Sequence, residues 1–221
     1  MQKHDASRMH YDFQDAHADA RRNPVSSQPE SALTGRDLRE VARVLTVGHG
    51  TADAAELSRL LRSAEVRRLI DVRTAPGSRH NPDANRDAMA RWLPDAGIAY
   101  RWDKRLGGWR PHHPDSPDTA LRNASFSGYA AHMRTPEFLA AIDDLLADAE
   151  QDLTTVMCAE SVWWRCHRKL IADFLLLARG VDVEHLMPGG ALRPHRPTPE
   201  ARLVRRDEVL VYDAGQDRLS R

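Results

Sequence analysis

Five short strand-like runs alternate along this chain with stretches of helical apolar spacing, and that alternation limits the folds open to it. Val44-Leu45-Thr46-Val47, Arg68 to Arg73, Ile98 to Trp102, Leu153 to Met157 and Val181 to Leu186 read as strands. Asp53 with Glu56 forms a capping-box pattern ahead of Leu57, Leu60 and Leu61. Asn85 to Leu93 suits a helix stopped by Pro94 and Gly97. Phe126 to Met133 suits a short one, and Thr135-Pro136-Glu137 opens another that buries Phe138, Ile142, Leu145 and Leu146. The helix after Cys166 buries Leu170, Ile171, Phe174 and Leu177 and ends at Gly180. The expected fold is α/β: three layers, a mostly parallel sheet of about five strands, helices on both faces. Loops leaving parallel strands share one edge of the sheet, where ligands bind. His49, Arg73, the Gly107-Gly108 turn and the Cys158–His167 segment are therefore expected to meet in one crevice.

Residues 1–40 are polar and lack an apolar period, which reads as a disordered arm. Residues 41–202 form the expected single domain, and 203–221 an extension in which Val209 to Tyr212 adds an edge strand or docks. With 221 residues and a net charge of zero, the chain is not a polycation built for nonspecific nucleic-acid binding. Its longest strongly apolar stretch, Phe174 to Ala178, cannot span a bilayer, and the first residues hold no apolar signal core. Two cysteines make no secreted disulfide framework, so a reducing cytoplasm is expected.

Both cysteines, Cys158 and Cys166, lie with Glu160, Arg165, His167 and Arg168 between a strand and a helix. Cys166 beside a helix start and two arginines favours a thiolate. Six residues separate Cys158 from Arg165, where a phosphatase-like loop needs five, and seven separate the cysteines, where haem attachment needs two. Zinc on Cys158, Cys166 and His167, with His49 as a distant fourth ligand, is a further option, as are a regulatory disulfide and a small buried structural cysteine. Gly48-His49-Gly50 allows close backbone approach and frees helix-start N–H groups for an anion. Asp71 within a strand needs a partner, and Arg73 or Arg79 can pair with it or bind an anion. Trp102, Trp109, Trp163 and Trp164 are stacking surfaces or core. Tyr129 and His132 sit on the short helix over the pocket.

Taken together, these pieces resemble the bacterial and archaeal family known as domain of unknown function 488. The likeness rests on Thr46-Val47-Gly48-His49 and on Leu69 to Arg73 with Pro76, Ser78 and Arg79. It continues through Gly97 to Tyr100 leading to Leu106-Gly107-Gly108, then Phe126 to Ala130 with Met133. Met157 to Glu160 with Cys166-His167-Arg168 follows, then His185-Leu186 and the tail near Arg202. It spans roughly Leu45 to Arg202. The family usually carries a small hydroxylated residue after Gly-His, where this chain has Gly50. The resemblance implies a fold and a site, not a reaction.

The leading expectation is an enzyme acting on a small anionic or nucleotide-like substrate. Cys158 or Cys166 would be the nucleophile, His49 or His167 the acid/base and Glu160 an orienting group. Gly48, Asp71, Arg73, Ser78, Arg79, Gly107, Gly108, Tyr129 and Arg168 would shape the binding pocket. The alternatives are a non-catalytic nucleotide or nucleic-acid module with an arginine–tryptophan rim, and a metal or haem protein using Cys158, Cys166 and His167.

Overall fold

The computed structural model describes residues 43–204 and 209–213. The expected N-terminal arm lies outside the described residues. Chain order is β1 (Arg43–Gly48), α1 (Ala54–Ser63), β2 (Arg68–Asp71), α2 (Arg86–Asp95), β3 (Ala99–Trp102), α3 (Ala124–His132), α4 (Pro136–Ala149) and β4 (Thr154–Cys158). Then come α5 (Arg168–Arg179), β5 (Asp182–Leu186), β6 (Leu192–Pro194), β7 (Ala201–Val204) and β8 (Val209–Tyr212). β1 to β5 pair in parallel, because each connection between them carries at least one helix. The strand order is β3-β2-β4-β1-β5-β6.

The α/β reading holds, with a sixth strand added. Val209 to Tyr212 does not join the main sheet: it forms β8, which pairs with β7 in a separate hairpin. The edge beyond β5 is taken by the antiparallel β6, whose exposed Arg193 and Pro194 discourage further pairing. α2 runs through Pro94 to Asp95 instead of stopping before it, since a proline in the last turn removes only one bond of the ladder. Asp53 closes a full capping box on α1, Thr135 caps α4 ahead of Pro136, and Gly180 ends α5 at φ 66°.

Strand pleating sends alternate residues to opposite faces. Leu45, Val47 and Leu69 pack on Leu57, Leu61, Met89 and Leu93 of α1 and α2. Val44, Ile70 and Val156 pack on Phe138, Ile142, Leu145, Ile171 and Phe174 of α4 and α5. β1 connects to β2 in one direction along the sheet and β4 connects to β5 in the other, so the neighbours β1 and β4 flank a switch point. Their last residues, Gly48 and Cys158, stand opposite each other there.

Candidate functional site

On the α3–α5 side of this edge, β4 ends in Cys158 and a short turn brings Cys166 back above it. The sulfurs are 2.8 Å apart; both thiols are free and buried. His167 Nε2–H donates to the Val72 carbonyl at 3.0 Å, so in the neutral ring Nδ1 is the lone-pair nitrogen, and it faces Cys166 Sγ at 3.5 Å. The shared proton splits the two thiols. The bond from Cys158 draws Cys166 down to about 6 against the effect of burial, and Arg168 adds to the pull through its charge, side chain and backbone N–H. Cys158 is pushed up to about 12 by the same bond and then by burial. With Cys158 as the S–H donor of the pair, Cys166 is the sulfur favoured as thiolate.

Two glycines make this packing possible. A Cβ on Gly108 would strike the His167 ring, so only glycine lets the loop after β3 cover it. A Cβ on Gly48 would meet the Glu160 carbonyl and the Arg168 guanidinium. Arg168, 1% exposed, sends Nη2 to that carbonyl and Nη1 to Thr46 Oγ1 at 3.3 Å, while its Nε has no hydrogen-bond partner. Glu160 acts through its backbone; its carboxylate is exposed and accepts from the Val162 N–H at 3.3 Å. Tyr129 is fully buried, donates to the Leu106 carbonyl at 2.9 Å and lies 5.1 Å from the His167 ring. Burial holds its hydroxyl well above the usual tyrosine range.

The α1–α2 side holds a different cluster. Arg73 grips Asp71 with Nε at 2.8 Å and Nη2 at 2.6 Å, and its Nη1 donates to His49 Nε2 at 3.1 Å. His49 Nδ1–H goes to the Gly50 carbonyl at 2.9 Å, and Tyr100 donates to Asp71 at 2.9 Å. Burial, then Arg73, lowers the His49 pKa, so the ring is neutral. The four expected clusters therefore share the carboxyl edge, but the pleat divides them: His49, Asp71 and Arg73 lie on one face, and Cys158, Cys166, His167, Arg168 and the Gly107-Gly108 turn on the other. Ser78 holds a turn by accepting from Asn81 N–H at 3.0 Å, and Arg79 is exposed. Trp102 and Trp163 are half-buried, while Trp109 and Trp164 are exposed.

A cleft of about 500 Å³ opens beside His49, lined by Gly48, Thr51, Arg59, Ser161 and Gly190 among others. Its Gly48 wall is the one that Arg168 approaches from the thiol side.

Asp173 and His195, not singled out from sequence, complete the site together with Thr46 and His185 of the quoted motifs. Asp173 lies on the apolar face of α5 and bonds His195 Nε2 at 2.8 Å, Thr198 Oγ1 at 2.7 Å and Tyr212 Oη at 3.0 Å. His195 Nδ1 meets His185 Nε2 at 3.0 Å, and His185 Nδ1 meets Thr46 Oγ1 at 2.7 Å. A charged residue on an otherwise apolar stripe was the available signal for Asp173. His195, in a proline- and arginine-rich tail, had none.

Cys158, Cys166 and His167 are the described residues that could hold a metal, their ligand atoms lying within 4.8 Å of one another. Two sulfurs on one tetrahedral zinc stand about 3.7 Å apart, so an ion would have to spread this pair by about 1 Å. The arrangement fits a dithiol better than a ligand set. No helix among the described residues is long and apolar enough to cross a membrane. A family model described as "Domain of unknown function DUF488" matches residues 53–175, more than half of the chain. No curated protein and no solved structure matches it.

Proposed function

Because the chain belongs to the family described as domain of unknown function DUF488, a description that names no reaction, we propose a function from the chemistry of its site: a cytoplasmic enzyme whose nucleophile is the Cys166 thiolate, acting on a small anionic or nucleotide-like substrate. The observation that carries this reading is the Cys166 sulfur itself, 2.8 Å from a thiol donor and 3.5 Å from the lone pair of His167. Cys166 attacks the electrophilic centre. His167 Nδ1 takes the proton from the thiol form and returns it to the leaving group. Cys158 tunes the nucleophile, and Arg168 supports its charge. The cleft beside His49 has the volume of a small-molecule site, and Arg59 on its wall suits an anionic group. His49 lines that cleft and is held in turn by Arg73, which is paired to Asp71.

The test is alkylation with iodoacetamide across pH, read by peptide mass spectrometry, with metal analysis of the same sample. Modification of Cys166 with a midpoint near pH 6, abolished in C166S, supports the nucleophile. An ordinary thiol midpoint near 8.5 removes it, and close to one equivalent of bound metal replaces it with a metal centre.

The exposed Trp109 and Trp164 favour a second reading, a nucleotide or nucleic-acid module in which they stack on bases. Loss of salt-sensitive oligonucleotide binding in a Trp109→Ala, Trp164→Ala double variant supports it; no binding at low salt removes it.

A further inference from the structure

Behind the thiol runs a hydrogen-bonded chain whose donors all point one way. The Asp173 carboxylate can only accept, so His195 presents Nε2–H to it, and in the neutral ring Nδ1 carries the lone pair. His185 then donates from Nε2 to His195 and accepts at Nδ1 from the Thr46 hydroxyl. The Thr46 oxygen, its proton committed, accepts from Arg168 Nη1. Asp173, His185, Thr46 and Arg168 are each at most 1% exposed, and His195 is buried. The chain starts at a cation and ends at an anion, so every dipole in it is aligned with both charges and each bond polarises the next. Trp163 covers it: the half-buried indole stacks on His185 at 3.9 Å.

We propose that Thr46, His185, His195 and Asp173 are positioning residues that act through Arg168, forming a relay that fixes its guanidinium on the thiol side of the sheet. The proposal deepens the thiol reading and rests on it. With Nη1 held by Thr46 and Nη2 by the Glu160 carbonyl, the Arg168 tip has one orientation. Its charge and backbone N–H, two residues past Cys166, draw that thiol down. Geometry gives the relay its force. Without the Thr46 hydroxyl, Arg168 Nη1 would lose its acceptor and His185 Nδ1 its donor together. The disturbance would fall on Arg168.

The groups facing Cys166 are Cys158 from β4, His167 and Arg168 from α5 and Tyr129 from α3, so a relay effect is read as a change at fixed composition of that set. The experiment is the pH profile of Cys166 alkylation in the full chain for T46V, T46S and the parent, with melting curves alongside. T46V removes the hydroxyl and T46S keeps it. The relay predicts a midpoint near pH 6 in the parent and in T46S, and one higher by about one unit in T46V, with several-fold slower alkylation at pH 6.5. A lower melting temperature with an unmoved midpoint in T46V would reduce the chain to structural packing and overturn the proposal. Failure of the thiol reading looks different: the parent itself then shows an ordinary midpoint before any variant is made, and the relay falls with it.

Discussion

The two faces of the sheet carry clusters built from the same parts, a carboxylate, an arginine and histidine, yet they end in opposite states. On the α1–α2 face Asp71 and Arg73 meet in a two-pronged pair, and the remaining guanidinium nitrogen goes to His49. Each guanidinium nitrogen is bonded, which suits a buried pair whose desolvation must be offset by hydrogen bonds. On the α3–α5 face the carboxylate and the arginine are kept apart by two histidines and a threonine, and the chain stops at a sulfur. Separation leaves the Arg168 Nε without a hydrogen-bond partner, and the charge of Arg168 favours the thiolate form of Cys166. Direct pairing makes a wall; pairing at a distance leaves charge available for chemistry.

Changes to either cluster test that contrast. Asp71→Asn strips the buried Arg73 of its counter-charge and is expected to lower stability by about 3–5 kcal/mol in a denaturant melt, with the Cys166 alkylation profile unmoved. A profile that shifts with it would mean the faces are coupled and the contrast false. Gly108→Ala drives a methyl into the His167 ring and is expected to cost about 1–3 kcal/mol and to slow Cys166 alkylation together. Stability loss without a kinetic change would show that His167 only packs.

The third change concerns acid. Burial, then His195 and Arg168, depresses His185 to about 3 from an unfolded value of 6.5. Between those values the unfolded chain holds the extra proton, so stability rises with pH across that window, by up to about 1.4 kcal/mol per unit. His185→Asn is expected to flatten that slope; an unchanged slope would place the acid sensitivity elsewhere. The smallest effect belongs to Cys158→Ala. Without the S–H donor, Cys166 alkylation at pH 7 is expected to slow about tenfold with the fold intact. A rate equal to the parent's would leave Arg168 alone to hold the thiolate.

Periodicity made the strands legible, since β1, β2, β4 and β5 lie against apolar faces on both sides of the sheet and the edge strand β3 against one, and capping residues such as Asp53 and Thr135 marked helix starts that the structure keeps. Cys158, Cys166, His167 and Arg168 stood out because reactive residue types crowd between a strand and a helix. The partners of those residues were not legible. Val72 holds His167 through a backbone carbonyl, which carries no residue signature. Glu160 was expected to orient or transfer a proton through its carboxylate, and it contributes its carbonyl to Arg168. The split between faces follows from pleat parity at the strand ends, where Gly48 and His49 fall on opposite sides, and loop residues beyond Arg73 have no parity to read. β6 was missed because three residues, one of them proline, make too short a pattern.

The distance along the chain from Asp173 to its partners has a consequence for synthesis. His195, Thr198 and Tyr212 emerge 22, 25 and 39 residues after it. Until they do, α5 can be helical, but closing its apolar face would trap an unpaired carboxylate in the core. A nascent chain therefore has a built-in pause in which sheet and helices exist while the thiol is still in contact with water. A stretch that leaves the ribosome later completes the surroundings of a cysteine that left it earlier.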